Sequence, residues 1–94
     1  MKKVIVSLIG LINSENYVLI SKRKNKPNYN GFWEYPGGKI EIGETVINGL
    51  LRETKEELGL ILSYSCISPL AFSIDKSKDQ ETTLLLFVCR KWIS

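Results

Sequence analysis

The stretch GGKIEIGETVINGLLRETKEELG, residues 37–59, decides how this chain folds. Its second half reads as the one convincing helix, Thr45 to Leu58. Thr45 is a hydroxyl residue placed to cap the helix, and Gly59 stands where a left-handed C-terminal cap belongs. Val46, Leu50, Thr54 and Leu58 recur every four residues, with Ile47 and Leu51 beside them, so one stripe faces a core. Gly49 in mid-helix costs about 1 kcal/mol against Ala, so close packing is expected there. The opposite face carries Arg52, Glu53, Glu56 and Glu57. The spacing i, i+3, i+4 puts all three carboxylates on one side, where like charges repel by a few tenths of a kcal/mol per pair. Three glutamates alone also fit a solvated acidic face. A hard divalent cation such as Mg²⁺ makes the same cluster favourable, and upstream Gly37-Gly38 offers a backbone that can approach a ligand closely.

Outward from this segment the chain alternates apolar runs and turns. Lys3 to Leu11 is nearly continuous apolar and reads as a buried strand. Asn13 to Asn16 is a turn, and Tyr17 to Ile20 reads as a second strand completing a hairpin. Residues 21–31 form a polar, basic loop with Arg23 in it. Phe32-Trp33-Glu34-Tyr35 is a short aromatic segment ended by Pro36, and Lys39 to Gly43 reads as a looped stretch. Downstream, Leu60 to Ile74 is extended with a break at Ser68-Pro69, Asp75 to Gln80 is a charged turn, and Glu81 to Trp92 is the last strand. The centre of that strand, Leu84 to Cys89, is apolar on both faces and wants cover on two sides.

Ninety-four residues make one small domain, 1–94, with a thin core. Apolar residues at 44% and charged residues at 24% are ordinary for a globular chain and argue against disorder or collagen. A net charge of +3 does not mark a nucleic-acid or membrane binder. There is no His, which removes His-based triads, His-ligated zinc and His acid–base chemistry together. Cys66 and Cys89 stand alone in apolar runs without a CxxC, as reduced buried thiols of a cytosolic protein would. Met1-Lys2-Lys3 followed by an apolar run imitates a signal peptide, but Asn13-Ser14-Glu15 offers no small-x-small cleavage site. The run is also too short to span a bilayer.

Read together, the line is Gly38-x5-Glu44-x7-Arg52-Glu53-Thr54-x-Glu56-Glu57-x-Gly59-Leu60. This matches the Nudix box, and the chain around it resembles the MutT-type Nudix hydrolases. Gly31 to Glu41, GFWEYPGGKIE, is similar to that family's approach to the box. The one departure inside the box is Thr54, where the family has a larger apolar residue; it lies on the buried stripe and so concerns packing.

The resemblance implies an α/β fold, a mixed β-sheet with the box helix on one face. It implies that Glu53, Glu56 and Glu57 hold Mg²⁺, with Mn²⁺ as a substitute, and that a Gly37 carbonyl completes the metal shell. Glu53 would also orient or deprotonate the attacking water. Arg52 and Glu44 would form an internal ion pair in which Arg52 orients Glu53. Arg23 and Lys39 would meet phosphates, and Glu34, Tyr35, Pro36 and Gly38 would line the nucleotide site; Trp33 and Tyr35 serve equally well as core residues. The implied reaction is hydrolysis of a nucleoside triphosphate, such as oxidised dGTP, to a nucleoside monophosphate and pyrophosphate, in cytoplasmic nucleotide-pool sanitation linked to DNA repair. No stable nucleic-acid complex and no membrane association are expected. The family domain continues past this point with a strand and a C-terminal helix on the other sheet face. The bare face leaves three outcomes open: a fragment, a homodimer through that face, or a poorly folding chain. The alternatives to the leading activity are a catalytically impaired nucleotide-binding remnant, or action on another nucleoside diphosphate derivative.

Overall fold

A nearly continuous apolar strand is suited to the interior of a sheet, and the first strand takes an inner position. The computed structural model describes residues 1–22, 31 and 33–94. Strand β1 (Lys2–Leu11) pairs antiparallel with β4 (Gly37–Lys39) on one edge and parallel with β7 (Gln80–Cys89) on the other. β6 (Ile67–Lys76) returns antiparallel along β7, giving the order β4-β1-β7-β6. Two short ribbons flank this sheet: β2 (Ser21–Lys22) with β3 (Trp33–Glu34), and β5 (Ile61–Leu62) with β8 (Trp92–Ile93). Parallel strands cannot be joined by a tight turn. The connection from β1 to β7 therefore carries the helix α1 (Val46–Leu58), and the mixed α/β sheet expected from the sequence results.

The helix is capped as its sequence requires. The Thr45 hydroxyl accepts the Asn48 N–H at 3.1 Å, and Gly59 adopts φ 68° with its N–H on the Lys55 carbonyl. Leu50 is fully buried against Ile9, Leu11, Leu62, Phe87 and Cys89. Register explains the cluster, since Ile9 pairs with Phe87 and Leu11 with Cys89, so all four project to the helix side. Thr54 is also fully buried, and its hydroxyl donates to the Leu50 carbonyl at 2.8 Å. A polar atom is thereby satisfied locally where an apolar side chain would otherwise pack.

Three expectations need correction. Lys39, expected to open a looped stretch, instead ends the strand Gly37–Lys39, because Gly37 and Gly38 bring the chain flush against β1; a Cβ on Gly37 would overlap the Ser7 carbonyl oxygen. Tyr17 to Ile20 forms no strand of its own. It folds back on the end of β1 as a short hairpin contact, through an Ile12–Val18 bridge and the Leu19 N–H on the Leu11 carbonyl, because β4 takes the same edge from Leu8 back to Val6. The final segment divides at Arg90-Lys91 into β7 and β8, and β6 runs through Lys76, which narrows the charged turn to Ser77–Asp79.

Leu84, Leu86 and Val88 alternate away from α1 and are half-buried. On the helix side, beyond the reach of α1, Phe72 is 70% and Ile74 56% exposed. β6 ends the sheet order, with its outer edge guarded by Pro69 and by a bulge between Pro69 and Ala71. An apolar row beside such an edge favours association. Because both side chains are already exposed, Phe72→Lys with Ile74→Lys is expected to leave the melting temperature within a few degrees; a larger fall would contradict their placement.

Candidate active site

The acidic side of α1 is organised by one cation. The Arg52 guanidinium donates to both Glu44 oxygens, Nε to Oε2 at 2.6 Å and Nη2 to Oε1 at 3.0 Å. Nη1 reaches Glu53 Oε2 at 3.2 Å and Glu56 Oε2 at 3.1 Å, and Nη2 also donates to the Lys39 carbonyl at 3.2 Å. Glu41 stands 3.8 Å from Nε. Only the planar, five-donor guanidinium can serve this many acceptors at once, so lysine is no substitute. The two-pronged Glu44 contact is the strong form of ion pair. It is partly shielded, with the side chains of Arg52 and Glu44 25% and 15% exposed.

Glu44 is fixed from a second side, because its Oε1 accepts the Glu41 N–H at 2.9 Å. The Arg52 hydrogen bond chiefly, and the Glu41 N–H next, hold the Glu44 carboxyl from its ordinary 4.5 down to about 2, against the opposing effect of burial. Arg52 is in turn held above its usual range, first by its hydrogen bond to Glu44. Gly49 shows why close packing was expected at that position. A Cβ there would lie 2.5 Å from Ile40 Cδ1 and 2.9 Å from Glu44 Oε1.

The glycine pair faces the carboxylates. The Gly37 N–H donates to Glu57 Oε1 at 3.3 Å. A Cβ on Gly38 would lie 2.5 Å from Glu53 Cδ and Oε2, so Glu53 occupies the space that glycine leaves open. Opposite Gly38 in the ladder is Ser7. It is fully buried, and its hydroxyl has no partner among the described residues. Such a buried group costs about 1–3 kcal/mol.

The structure thus brings Gly37, Gly38, Glu44, Arg52, Glu53, Glu56 and Glu57 together, with the Lys39 carbonyl joined to the network and its side chain exposed. Glu34 and Tyr35 are half-buried on the approach, and Pro36 is fully buried with its carbonyl accepting the Ile9 N–H. Trp33 is 64% exposed and is not a core residue. Arg23 lies outside the described residues. Glu41 and Ser7 were not foreseen as members. Ser7 could have been noticed as a polar residue inside an apolar run; nothing in the spacing marks Glu41.

The donor set is oxygen only, which suits Mg²⁺ or Mn²⁺. Among the described residues no three acidic side chains yet converge on one point. Glu56 and Glu57 are exposed, Glu57 accepting the Gly37 N–H and Glu56 held by Arg52, which places positive charge between Glu53 and Glu56. The residues therefore fit a hard cation in their chemistry.

A mixed sheet whose helix presents arginine-held carboxylates to a glycine-paired strand defines an α/β protein with an oxygen-donor site. Residues 1–92 match the NUDIX domain, and the chain belongs to that family, in its MutT-type branch, as a hydrolase of acid anhydrides. It is 34% identical over 92 residues to the 8-oxo-dGTP diphosphatase of Proteus vulgaris, covering 97% of this chain and 80% of that one. It is 36% identical over 83 residues to the ADP-ribose pyrophosphatase of Methanocaldococcus jannaschii, covering 88% and 48% respectively. In fold it is similar to the crystal structure of a MutT Nudix hydrolase from Burkholderia pseudomallei, with TM-score 0.86 at 22% identity, over 100% of this chain and 71% of that one.

Two outcomes follow from this geometry. Gly37→Ala, at φ 146° and against backbone, is expected to cost more than about 1 kcal/mol in urea unfolding. Gly38→Ala meets only the flexible end of Glu53 and is expected to fold nearly normally while displacing that carboxylate; equal destabilisation by the two would contradict the packing described. For Glu44, whose folded pKa is depressed, the stabilisation is present above about pH 4.5 and is lost as pH falls towards about 2. The urea midpoint should fall across that window more steeply for the wild type than for Glu44→Gln, and parallel slopes would contradict the pairing.

Proposed function

We propose that this chain hydrolyses a nucleoside triphosphate to a nucleoside monophosphate and pyrophosphate, with 8-oxo-dGTP as the leading substrate. The observation that carries the reading is Arg52 gripping Glu44 while holding Glu53 and Glu56, with Glu53 set against Gly38 and Glu57 on the Gly37 N–H. The likeness to a relative named 8-oxo-dGTP diphosphatase supports the choice of substrate. The likeness to one named ADP-ribose pyrophosphatase favours, as a second reading, another nucleoside diphosphate derivative handled by the same carboxylates.

The chemistry is addition of water across one P–O–P bond. A polyphosphate repels an incoming nucleophile, so charge must be neutralised before attack. Glu53, Glu56, Glu57 and the Gly37 carbonyl would hold Mg²⁺, or Mn²⁺ in its place, which neutralises and polarises the phosphoryl oxygens. Glu53 orients the attacking water and takes its proton at a carboxylate oxygen. Arg52 keeps Glu53 in place and is itself anchored by Glu44, so a charge-bearing frame is set before substrate arrives. Lys39 and Arg23 meet phosphate oxygens, and Trp33, with Glu34 and Tyr35 beyond it, lines the approach of the base.

The setting we infer is nucleotide-pool sanitation in the cytoplasm. No helix among the described residues is long and apolar enough to cross a membrane. The test is pyrophosphate release from a panel of nucleoside triphosphates including 8-oxo-dGTP, with Mg²⁺, for wild type and Glu53→Gln. Turnover lowered by at least about a hundredfold in the variant is expected. Binding without turnover by the wild type would instead favour a nucleotide-binding remnant.

A further inference from the structure

The middle of β1 holds a polar side chain where the fold asks for an apolar one. Ser7 lies between Ile5 and Ile9 on the helix side of the strand, is fully buried, and has a hydroxyl without a partner among the described residues. A core alanine would fill the same space with no unmet hydrogen bond. Natural chains break such a rule chiefly at functional sites.

Its neighbour supplies the reason. Ser7 pairs directly with Gly38, so the two share a sheet face, and cross-strand Cβ positions are about 4.5–5.5 Å apart. The place of the missing Gly38 side chain is taken by the Glu53 carboxyl, whose Cδ and Oε2 lie 2.5 Å and Oε1 2.8 Å from a Cβ built there. Glu53 Oε2 accepts from Arg52, while Oε1 has no donor among the described residues. The Ser7 hydroxyl and Glu53 Oε1 thus approach the same Gly38 position, each without a partner among the described residues and not bonded to each other in this structure, and a hydroxyl can rotate to suit.

We propose that Ser7 is a positioning residue: its hydroxyl donates to the second oxygen of Glu53 and, with Arg52, fixes the orientation from which that carboxylate works. This rests on the hydrolase reading of the site. Arg52 alone leaves Glu53 one constraint, and a small turn about its terminal torsion would swing both oxygens. Hydrogen bonds of this kind are often open before ligands bind and close in the loaded site.

The test compares wild type and Ser7→Ala in thermal melting, without and with Mn²⁺, and in turnover of whichever triphosphate the wild type cleaves fastest. Without metal the variant is expected to melt at the same or a higher temperature, because an unmet buried hydroxyl is gone. Its kcat should fall by about tenfold to a hundredfold with KM within about twofold, and its Mn²⁺-induced rise in melting temperature should shrink. Wild-type kcat with a full Mn²⁺ response would overturn the assignment. So would a loss of kcat accompanied by a lower metal-free melting temperature, which marks a structural role. A wild type with neither turnover nor a Mn²⁺ response overturns the hydrolase reading itself, and that failure shows in the wild type before any variant is compared.

Discussion

The Arg52 guanidinium is the constraint on which this molecule turns. A short helix with glutamates at positions 53, 56 and 57 repels itself, and nothing in the helix backbone corrects that. Arg52 corrects it by drawing Glu53 and Glu56 to one nitrogen while its other two nitrogens are committed to Glu44. The grip on Glu44 matters because Glu44 lies outside the helix, before its Thr45 cap. The helix is thereby tied to the chain that precedes it, and through the Lys39 carbonyl to the end of β4. One side chain fixes the helix against the sheet and aims its carboxylates.

The same region carries most of the local departures from stable packing. Gly37 adopts φ 146°, a conformation costly for any residue with a Cβ. Gly38 leaves a space that Glu53 enters. Ser7 buries a hydroxyl that has no partner among the described residues, and three carboxylates share a face. The core around it follows the ordinary rules: a capped helix, Ile9, Leu11, Leu50, Leu62, Phe87 and Cys89 in matched register, and a satisfied hydroxyl on Thr54. Departures gathered on one small surface, against a regular background, are what a site selected for chemistry produces.

Much of this was legible in the residues. Thr45, the four-residue stripe and Gly59 specify the helix almost to the residue, and the fixed spacing from Gly38 to Glu57 names most of the site. The lateral order of the strands was not legible, because the β1–β7 pairing joins residues about seventy-eight positions apart, and no local pattern encodes a partner at that distance. The strand at Gly37–Lys39 was hidden for a related reason: glycine weakens every local strand signal, yet here only glycine permits the approach to β1. Ser7 illustrates the third kind of gap. Its identity was visible, but its meaning depends on facing Gly38, and that is a tertiary fact.

The account stands on the acidic helical face and the glycine pair acting as one cradle for a hard cation and a polyphosphate. The most direct measurement is line broadening of backbone amide signals as substoichiometric Mn²⁺ is added with a non-hydrolysable nucleotide. The account predicts that residues 37–38 and 53–57 broaden first and together. Broadening centred on another surface, or on the helix without the glycines, would contradict it.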